Sequence, residues 1–184
     1  MRVISGSARG RTLKAVPGMT TRPTTDKVKE AVFSMIGPYF EGGLVLDLFA
    51  GTGGLGIEAL SRGMDKGIFI DIEKKSVGTV QHNVAAAGFT DKAEIYRNDA
   101  GRALKLLSKR GLQFDLVFLD PPYKMKVIAE LITGMEEQAL LKPNAWIIVE
   151  HDAEDDLAVT IGALQLKKRA EYGETAITIY ERVE

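Results

Sequence analysis

Short apolar runs alternate with longer runs of helical period from residue 44 to about residue 150. Runs such as GLVLDLFA and FDLVFLD predict buried strands, and the segments between them predict helices. This alternation predicts an α/β fold, doubly wound, in which helices cover both faces of a parallel sheet. The last two apolar runs, LQLKKRAEYG and TAITIYERV, are separated only by a turn at Gly173, so they predict an antiparallel hairpin at the edge of the sheet.

A helix and a short basic extension are predicted before the first strand. The segment TTDKVKEAVFSMI has its apolar residues on one helical face: Val28, Ala31, Val32, Met35 and Ile36. Thr24 or Thr25 can cap this helix. The first 22 residues alternate weakly and predict a small hairpin attached to a catalytic core of residues 23–184. A chain of 184 residues is long enough for one good core, so we expect one domain.

Composition excludes several classes of protein. The chain has no cysteine, and its two histidines, His82 and His151, lie far apart in the sequence, so we expect neither a disulfide framework nor a metal site. No run of 18 apolar residues occurs, and the first residues lack the apolar core of a signal peptide. We therefore expect a cytoplasmic protein with no membrane segment.

Charge is distributed unevenly along the chain. The net charge is −1, yet residues 1–30 carry seven basic and two acidic side chains. Runs of charge are most often a solvated face. The alternative is contact with the phosphate groups of a nucleic acid, which the intervening glycines and serines favour because they keep the backbone open between the arginines.

A glycine-rich turn follows the first predicted strand. Gly51, Gly53 and Gly56 have the G-x-G-x-x-G spacing, which lets the backbone turn tightly and approach a ligand at the start of the next helix. Such a turn can also serve only helix–strand packing, and a dinucleotide is a competing ligand. Asp47, at the end of the strand, suits a cation such as the amino group of a methionine moiety better than it suits a pyrophosphate.

Acidic residues also end the next two strands. Asp71 and Glu73 can accept hydrogen bonds from ribose hydroxyls, and Asp99 can accept one from the amino group of an adenine. Each acid alone could be only a turn residue or a helix cap. Together with Asp47 they predict a site for a nucleoside that carries a positive charge.

The fourth strand ends in Asp120-Pro121-Pro122-Tyr123, at the same edge of the predicted sheet. The prolines remove two backbone N–H donors and stiffen the loop, which leaves carbonyl oxygens free to accept. A carboxylate and a carbonyl together can accept both hydrogens of an amino group, and the ring of Tyr123 can stack on a planar base. The loop thus predicts chemistry on an exocyclic amine of a base.

These motifs resemble those of the bacterial small-subunit ribosomal RNA guanine-N2 methyltransferases called the RsmD family. The resemblance rests on RVISGSARGRTL, TRPTTDKVKEAVFSMI, VLDLFAGTGGLGIEALSRG and FDLVFLDPPY, which occur in that order and cover essentially the whole chain. It implies a seven-stranded, Rossmann-like class I methyltransferase sheet and S-adenosylmethionine as methyl donor, with S-adenosylhomocysteine as product and no metal. It also implies a guanine of 16S ribosomal RNA, in the assembling or assembled small subunit, as substrate.

The resemblance and the charge pattern together give a set of candidate site residues. The candidate cofactor residues are Asp47, Ala50, Gly51, Thr52, Gly53, Asp71, Ile72, Glu73, Asn98, Asp99 and Ala100. The candidate catalytic residues are Asp120, Pro121, Pro122 and Tyr123. The candidate RNA contacts are Arg2, Arg9, Arg11, Lys14 and Arg22. The family commonly has Glu-x-Asp where this chain has Asp71-Ile72-Glu73, so either acid could hold the ribose.

Three other functions remain open from the sequence. An adenine-N6 methyltransferase would use the same Asp-Pro-Pro-Tyr chemistry on DNA or RNA. A nicotinamide oxidoreductase could use the glycine-rich turn, although it would give no role to Asp47 or Asp120. A non-catalytic RNA-binding assembly factor could keep the fold alone. Methylation of a pyrimidine C5 through a cysteine adduct is excluded because the chain has no cysteine.

Overall fold

The computed structural model describes residues 1–18, 25–122 and 125–183, without the side chains of residues 125 and 126. Its α-helices are α1 (Asp26–Ile36), α2 (Gly54–Ser61), α3 (Lys74–Ala86), α4 (Ala100–Lys109) and α5 (Met125–Glu137). Its strands are β1 (Leu44–Asp47), β2 (Lys66–Asp71), β3 (Ala93–Arg97), β4 (Phe114–Leu119), β5 (Leu141–Asp152), β6 (Thr160–Ile161), β7 (Leu164–Tyr172) and β8 (Thr175–Arg182).

The strands form one mixed sheet with the order β3-β2-β1-β4-β5-β8-β7-β6. The first five strands pair in parallel, whereas β8 is antiparallel to β5 and β7 is antiparallel to β8. The prediction of a doubly wound parallel sheet that ends in an antiparallel hairpin is therefore confirmed.

The sheet has eight strands, one more than the seven that the family resemblance implied. The additional strand, β6, has only two residues and pairs with the start of β7. Gly162 makes this possible because its φ of 57° lies in the left-handed region that a two-residue turn requires. A strand this short has no periodicity that could be recognised in the sequence.

Two apolar layers lie on opposite faces of the sheet. Residues alternate between the faces along a strand, so Val45 of β1 packs with α1, α2 and α3, while Leu46 packs with α4 and α5. Both residues are fully buried. The strands therefore read as continuous apolar runs, which is typical of a parallel sheet covered on both sides.

Helix α1 forms where predicted, and its cap is Thr25, whose Oγ1 accepts a hydrogen bond from the Val28 N–H at 3.3 Å. Its buried face differs from the predicted one. Val32 is buried as expected, but Phe33 and Lys29 are buried with it, whereas Val28 is only partly buried. Lys29 has charged partners inside the protein, which apolar periodicity does not show.

The N-terminal segment is held to the core more firmly than the predicted hairpin would be. Its described residues, 1–18, contain a single β-bridge, between Arg2 and Thr12, rather than a ladder of paired strands. Its apolar side chains are buried in the layer formed by α1, α2 and α3: Val3, Ala8 and Leu13. Alternation in this segment therefore reflects packing against helices.

Buried polar residues of α2 fix the first half of this segment. The Glu58 carboxylate, which is fully buried, accepts the backbone N–H groups of Ile4 at 2.9 Å and Ser5 at 3.0 Å. Glu58 also forms ion pairs with Lys29 at 3.4 Å and Arg62 at 2.8 Å. These contacts satisfy a charge that would otherwise be very costly to bury.

Asn83 of α3 fixes the second half of the segment. Its Oδ1 accepts the Lys14 N–H at 2.7 Å, and its Nδ2 donates to the Lys14 carbonyl at 3.0 Å and to the Thr52 carbonyl at 2.9 Å. One fully buried amide thus joins the N-terminal segment to the glycine-rich turn.

Of the helices described, none combines the length and the apolarity needed to cross a membrane.

Candidate active site

A cavity of about 650 Å³ opens at the carboxyl ends of the parallel strands, where open α/β sheets bind their ligands. Nearly all the predicted cofactor and catalytic residues that the structure describes line this cavity: Asp47, Ala50, Gly51, Thr52, Asp71, Ile72, Glu73, Asn98, Asp99, Ala100, Asp120, Pro121 and Pro122. Gly53 does not line it and instead caps α2. Tyr123 and Arg22 lie outside the described residues.

The glycine-rich turn depends on backbone conformations that glycine favours. Gly51 and Gly53 have φ values of 58° and 80°, both in the left-handed region. The Gly51 N–H donates to Asp71 Oδ2 at 2.9 Å, which ties the turn after β1 to the end of β2. The turn therefore presents its backbone to the cavity in a fixed conformation.

Gly56 serves a different purpose, because it allows α2 to approach the sheet closely. A Cβ at this position would lie 2.5 Å from Phe69 Cε2 and 3.2 Å from Asp47 Cβ. We expect Gly56→Ala to lower the free energy of unfolding by roughly 1–3 kcal/mol through overpacking. Chemical denaturation measures this loss, and Gly78→Ala is the matched control since a Cβ there would meet nothing within 4 Å. Equal stabilities of the two variants would contradict this assignment.

Asp47 is a buried carboxylate beneath the turn. Its Oδ2 accepts the Gly56 N–H at 3.0 Å, and in the described part of the chain no cationic side chain pairs with it. Burial raises the pKa of Asp47 to about 7 against the opposing effect of the Gly56 N–H, and the negative charge of Asp71 raises it further. A cationic ligand would remove this cost, so the site favours a positively charged group.

Asp71 and Glu73 share the end of β2 but differ in their contacts. Both Asp71 oxygens accept backbone N–H groups at 2.9 Å, one from Gly51 and one from Glu73. The Glu73 carboxylate is exposed and has no hydrogen-bond partner among the described residues. Asp71 therefore organises the rim of the cavity, and Glu73 offers uncommitted acceptors there.

The end of β3 supplies a third wall. Asp99 caps α4 by accepting the Arg102 N–H at 3.2 Å, and Asn98 donates its backbone N–H to the Asp71 carbonyl at 3.0 Å. Asp99 is thus a helix cap and a cavity residue at once. Ile72, on the rim, is 54% exposed and gives the cavity an apolar surface on which a flat ring could pack.

Asp120 shares a hydrogen bond with Glu150, and both line the cavity. Asp120 is exposed to the cavity, although protein surrounds its carboxyl group on most sides. This enclosure raises the pKa of Asp120 well above its ordinary value, and the negative charges of Glu150 and Asp47 raise it further. Three acids therefore converge on one region of the cavity.

Two charged residues of the cavity, Glu150 and Lys29, are not among the residues predicted from the sequence. Glu150 lies in β5, inside the run AWIIVEH, where a single acid looks like an ordinary exposed strand residue. Lys29 is buried on α1, and its Nζ donates to the Arg2 carbonyl at 2.6 Å. Loss of solvation lowers the pKa of Lys29 against the opposing effects of Glu58 and Asp26. The sequence feature that could have identified Lys29 is a basic residue next to the apolar face of a predicted helix.

The predicted RNA contacts that the structure describes are exposed, and they lie outside the cavity. The four in the described residues are Arg2, Arg9, Arg11 and Lys14. Arg2 and Lys14 adjoin the cavity residues Met1 and Ala15. The chain between Gly6 and Gly10 instead packs on Ser61, at the far end of α2, whose eight residues span about 12 Å. The basic side chains therefore extend from the cavity along one face of the protein.

Comparison with known proteins identifies the family. A family model described as conserved hypothetical protein 95 matches residues 1–181. The chain belongs to this family. It is 52% identical over 182 residues to the Bacillus subtilis protein named "Putative rRNA methyltransferase YlbH", a match that covers 99% of both chains. It is 32% identical over 182 residues to Escherichia coli ribosomal RNA small subunit methyltransferase D, covering 99% of this chain and 90% of the relative.

Family membership also agrees with the fold. The solved structure described as "Putative methyltransferase yhhF from Escherichia coli" superposes with a TM-score of 0.85 at 30% identity, and the match covers 100% of this chain and 98% of that chain. The predicted membership of the RsmD family and the predicted methyltransferase fold are both confirmed. The match extends through the N-terminal segment, so this segment belongs to the family's fold.

Proposed function

We propose that this protein transfers a methyl group from S-adenosylmethionine to the exocyclic N2 of a guanine in 16S ribosomal RNA, in the cytoplasm, with the assembling or assembled small subunit as substrate. The observation that carries the proposal is the convergence of Asp47, Asp120 and Glu150 on one cavity, beside a turn that presents backbone to a ligand. An amino group that receives the methyl group and a positively charged methyl donor both suit such a site.

The cavity fits the cofactor in size and in charge. Its volume lies within the range of small-molecule sites, about 300–1,000 Å³. Asp47 is placed to accept the amino group of the methionine moiety. Glu73, with Asp71 behind it, is placed to accept ribose hydroxyls, and Ile72 offers an apolar face to the adenine ring. When bound, S-adenosylmethionine supplies a methyl group that is already activated by a sulfonium.

The protein's own contribution to the reaction is to position and polarise the amine. The lone pair of an exocyclic amine is delocalised into the base, which makes the nitrogen a poor nucleophile. Hydrogen bonds from the amino group to the Asp120 carboxylate and the Pro121 carbonyl would favour a tetrahedral nitrogen and stabilise the positive charge that develops on it. Glu150, which hydrogen-bonds with Asp120, holds that carboxyl group in place.

The RNA substrate is supported by the family and by charge. The Escherichia coli relative is named for action on the small ribosomal subunit, and the motifs TRPTTDKVKEAVFSMI and FDLVFLDPPY resemble those of guanine-N2 enzymes. The exposed basic side chains near the cavity can contact the phosphates that flank a base drawn out of its stack. We therefore assign Arg2, Arg9, Arg11 and Lys14 to RNA contact.

Methyl transfer from labelled S-adenosylmethionine tests the proposed substrate class. We expect label in small ribosomal subunits from cells lacking this protein, and none in large subunits or duplex DNA. Titration with S-adenosylmethionine and with a nicotinamide dinucleotide separates the two cofactor classes, since only the former offers an ammonium group that can donate hydrogen bonds to Asp47. Binding of small subunits without label would favour an assembly factor, and labelled DNA would favour the adenine-N6 alternative.

Glu150 should set the pH range of activity through Asp120. An ionised Asp120 is the better acceptor, so activity rises with pH through the pKa of this group, which Glu150 raises. We expect Glu150→Gln to move the acid limb of the kcat/KM profile to lower pH, because it removes a neighbouring negative charge. The matched control is Glu154→Gln, an exposed acid outside the cavity. An acid limb at the same pH in Glu150→Gln and wild type would contradict this role.

A further inference from the structure

A second cavity, of about 240 Å³, lies between the N-terminal segment and α3. Its lining residues are Lys14, Ala15, Pro17, Lys75, Gly78, Thr79 and His82. Ala15 lines both this basic groove and the candidate active site, so the two cavities are neighbours. Of these residues, only Ala15 also lines the candidate active site, and only Lys14 is among the predicted RNA contacts.

The basic groove gathers positive charge that has no partner in the described part of the chain. Lys14, Lys75 and His82 converge on it from two elements, and no acid lines it. Their side chains make no hydrogen bond or ion pair with the residues that the structure describes. The ammonium groups of Lys14 and Lys75 carry positive charge with no acid among the described lining residues, so this arrangement favours a bound anionic group.

The floor of the groove leaves space between the cations. Ala15 and Gly78 contribute almost no side chain, and a Cβ on Gly78 would meet nothing within 4 Å. The Lys75 side chain extends from α3 toward the N-terminal segment, since its Nζ lies 3.7 Å from the position of a Cβ on Gly18. The groove can therefore admit a compact anion beside basic side chains.

The groove is also fixed relative to the active site. Asn83 holds the backbone of Lys14 through two hydrogen bonds, of 2.7 and 3.0 Å, and a third joins it to Thr52 in the glycine-rich turn. The position of the Lys14 backbone is thus set by the same buried amide that contacts the candidate cofactor loop. An anion in the groove would be held at a defined distance from the reacting base.

We propose that this basic groove binds a backbone phosphate of the RNA, close to the nucleotide that enters the active site. The inference rests on the proposed function, because it assumes a nucleic-acid substrate. It adds Lys75 and His82 to the RNA-binding surface and gives Lys14 a defined role. A phosphate held here would anchor the strand while the target base turns into the neighbouring cavity.

The salt dependence of RNA binding tests the groove. We expect Lys14→Ala with Lys75→Ala to weaken binding to small ribosomal subunits about 10-fold in about 0.1 M KCl, and to reduce the slope of log K against log salt by about 1. The affinity for S-adenosylmethionine, measured without RNA, and the melting temperature should not change, because both altered side chains are exposed and neither lines the candidate active site. Arginine at both positions should restore binding.

The matched control is Lys105→Ala with Lys109→Ala, which removes two exposed charges from α4 on the opposite face of the sheet. The proposal would be overturned if the groove variant, the control variant and wild type bound small subunits with equal affinity and equal salt slopes. It would also be overturned if both variants lost the same binding affinity. Methyl transfer by the wild-type protein in the same assay keeps the proposed function intact in either case. Failure of wild type to methylate any RNA would instead reject the proposed function.

Discussion

Asp120→Ala should lower kcat for methyl transfer by about 10³-fold, because it removes the carboxylate that accepts the amine and offsets its developing charge. Loss of one positioned group that stabilises transition-state charge costs on the order of 10²–10³ in kcat. Single-turnover assays with labelled S-adenosylmethionine measure this effect on the chemical step.

The same variant should leave cofactor affinity nearly unchanged, since Asp47 and the glycine-rich turn remain. Isothermal titration of Asp120→Ala with S-adenosylmethionine provides this internal control. Asp91→Ala alters an exposed acid outside the cavity and is the matched control in the single-turnover assay. Retained turnover in Asp120→Ala would contradict the role given to the Asp-Pro-Pro-Tyr loop.

Asp47→Asn should weaken binding of S-adenosylmethionine by on the order of 10²-fold, as expected when a hydrogen bond to a charged group loses its charge. The same substitution should also raise the free energy of unfolding of the ligand-free protein at pH 8. Asparagine keeps an oxygen that can accept the Gly56 N–H, so the turn should be preserved. Titration calorimetry and chemical denaturation measure the two effects separately.

The sign of the stability effect follows from the pKa of Asp47. The pKa of this carboxyl is about 7 in the folded protein and 3.8 ordinarily, so folding favours its protonated form. This contribution to stability is complete below about pH 4 and is lost as the pH rises through 7. At pH 8 wild type therefore carries a cost of a few kcal/mol that Asp47→Asn avoids. A variant that binds cofactor like wild type, or that is less stable at pH 8, would contradict the account.

The sequence predicted the main site because parallel strands bring their carboxyl ends to one edge of the sheet. Asp47, Asp71, Asp99 and Asp120 each end or follow a strand, and all four line one cavity. This placement holds for most orders of parallel strands in a sheet. It also needs no knowledge of side-chain contacts. Glu150 could not be predicted in this way because it does not end its strand: β5 continues beyond this residue to Asp152.

Polar contacts inside the helical layer could not be predicted in the same way. Glu58 and Asn83 lie in helices, where an acid or an amide normally faces water, yet both are fully buried. Both have partners among the backbone groups of the N-terminal segment, more than 50 residues away in the sequence. The segment therefore appeared to be a separate basic hairpin, although its apolar residues pack into the core.

The identity of the methylated nucleoside tests the central claim most directly. Small subunits from cells lacking this protein are incubated with the purified enzyme and labelled S-adenosylmethionine, and the RNA is digested to nucleosides and separated. The account predicts a single labelled product, N2-methylguanosine, from the 16S RNA. Label in N6-methyladenosine, or no label in any nucleoside, would contradict it.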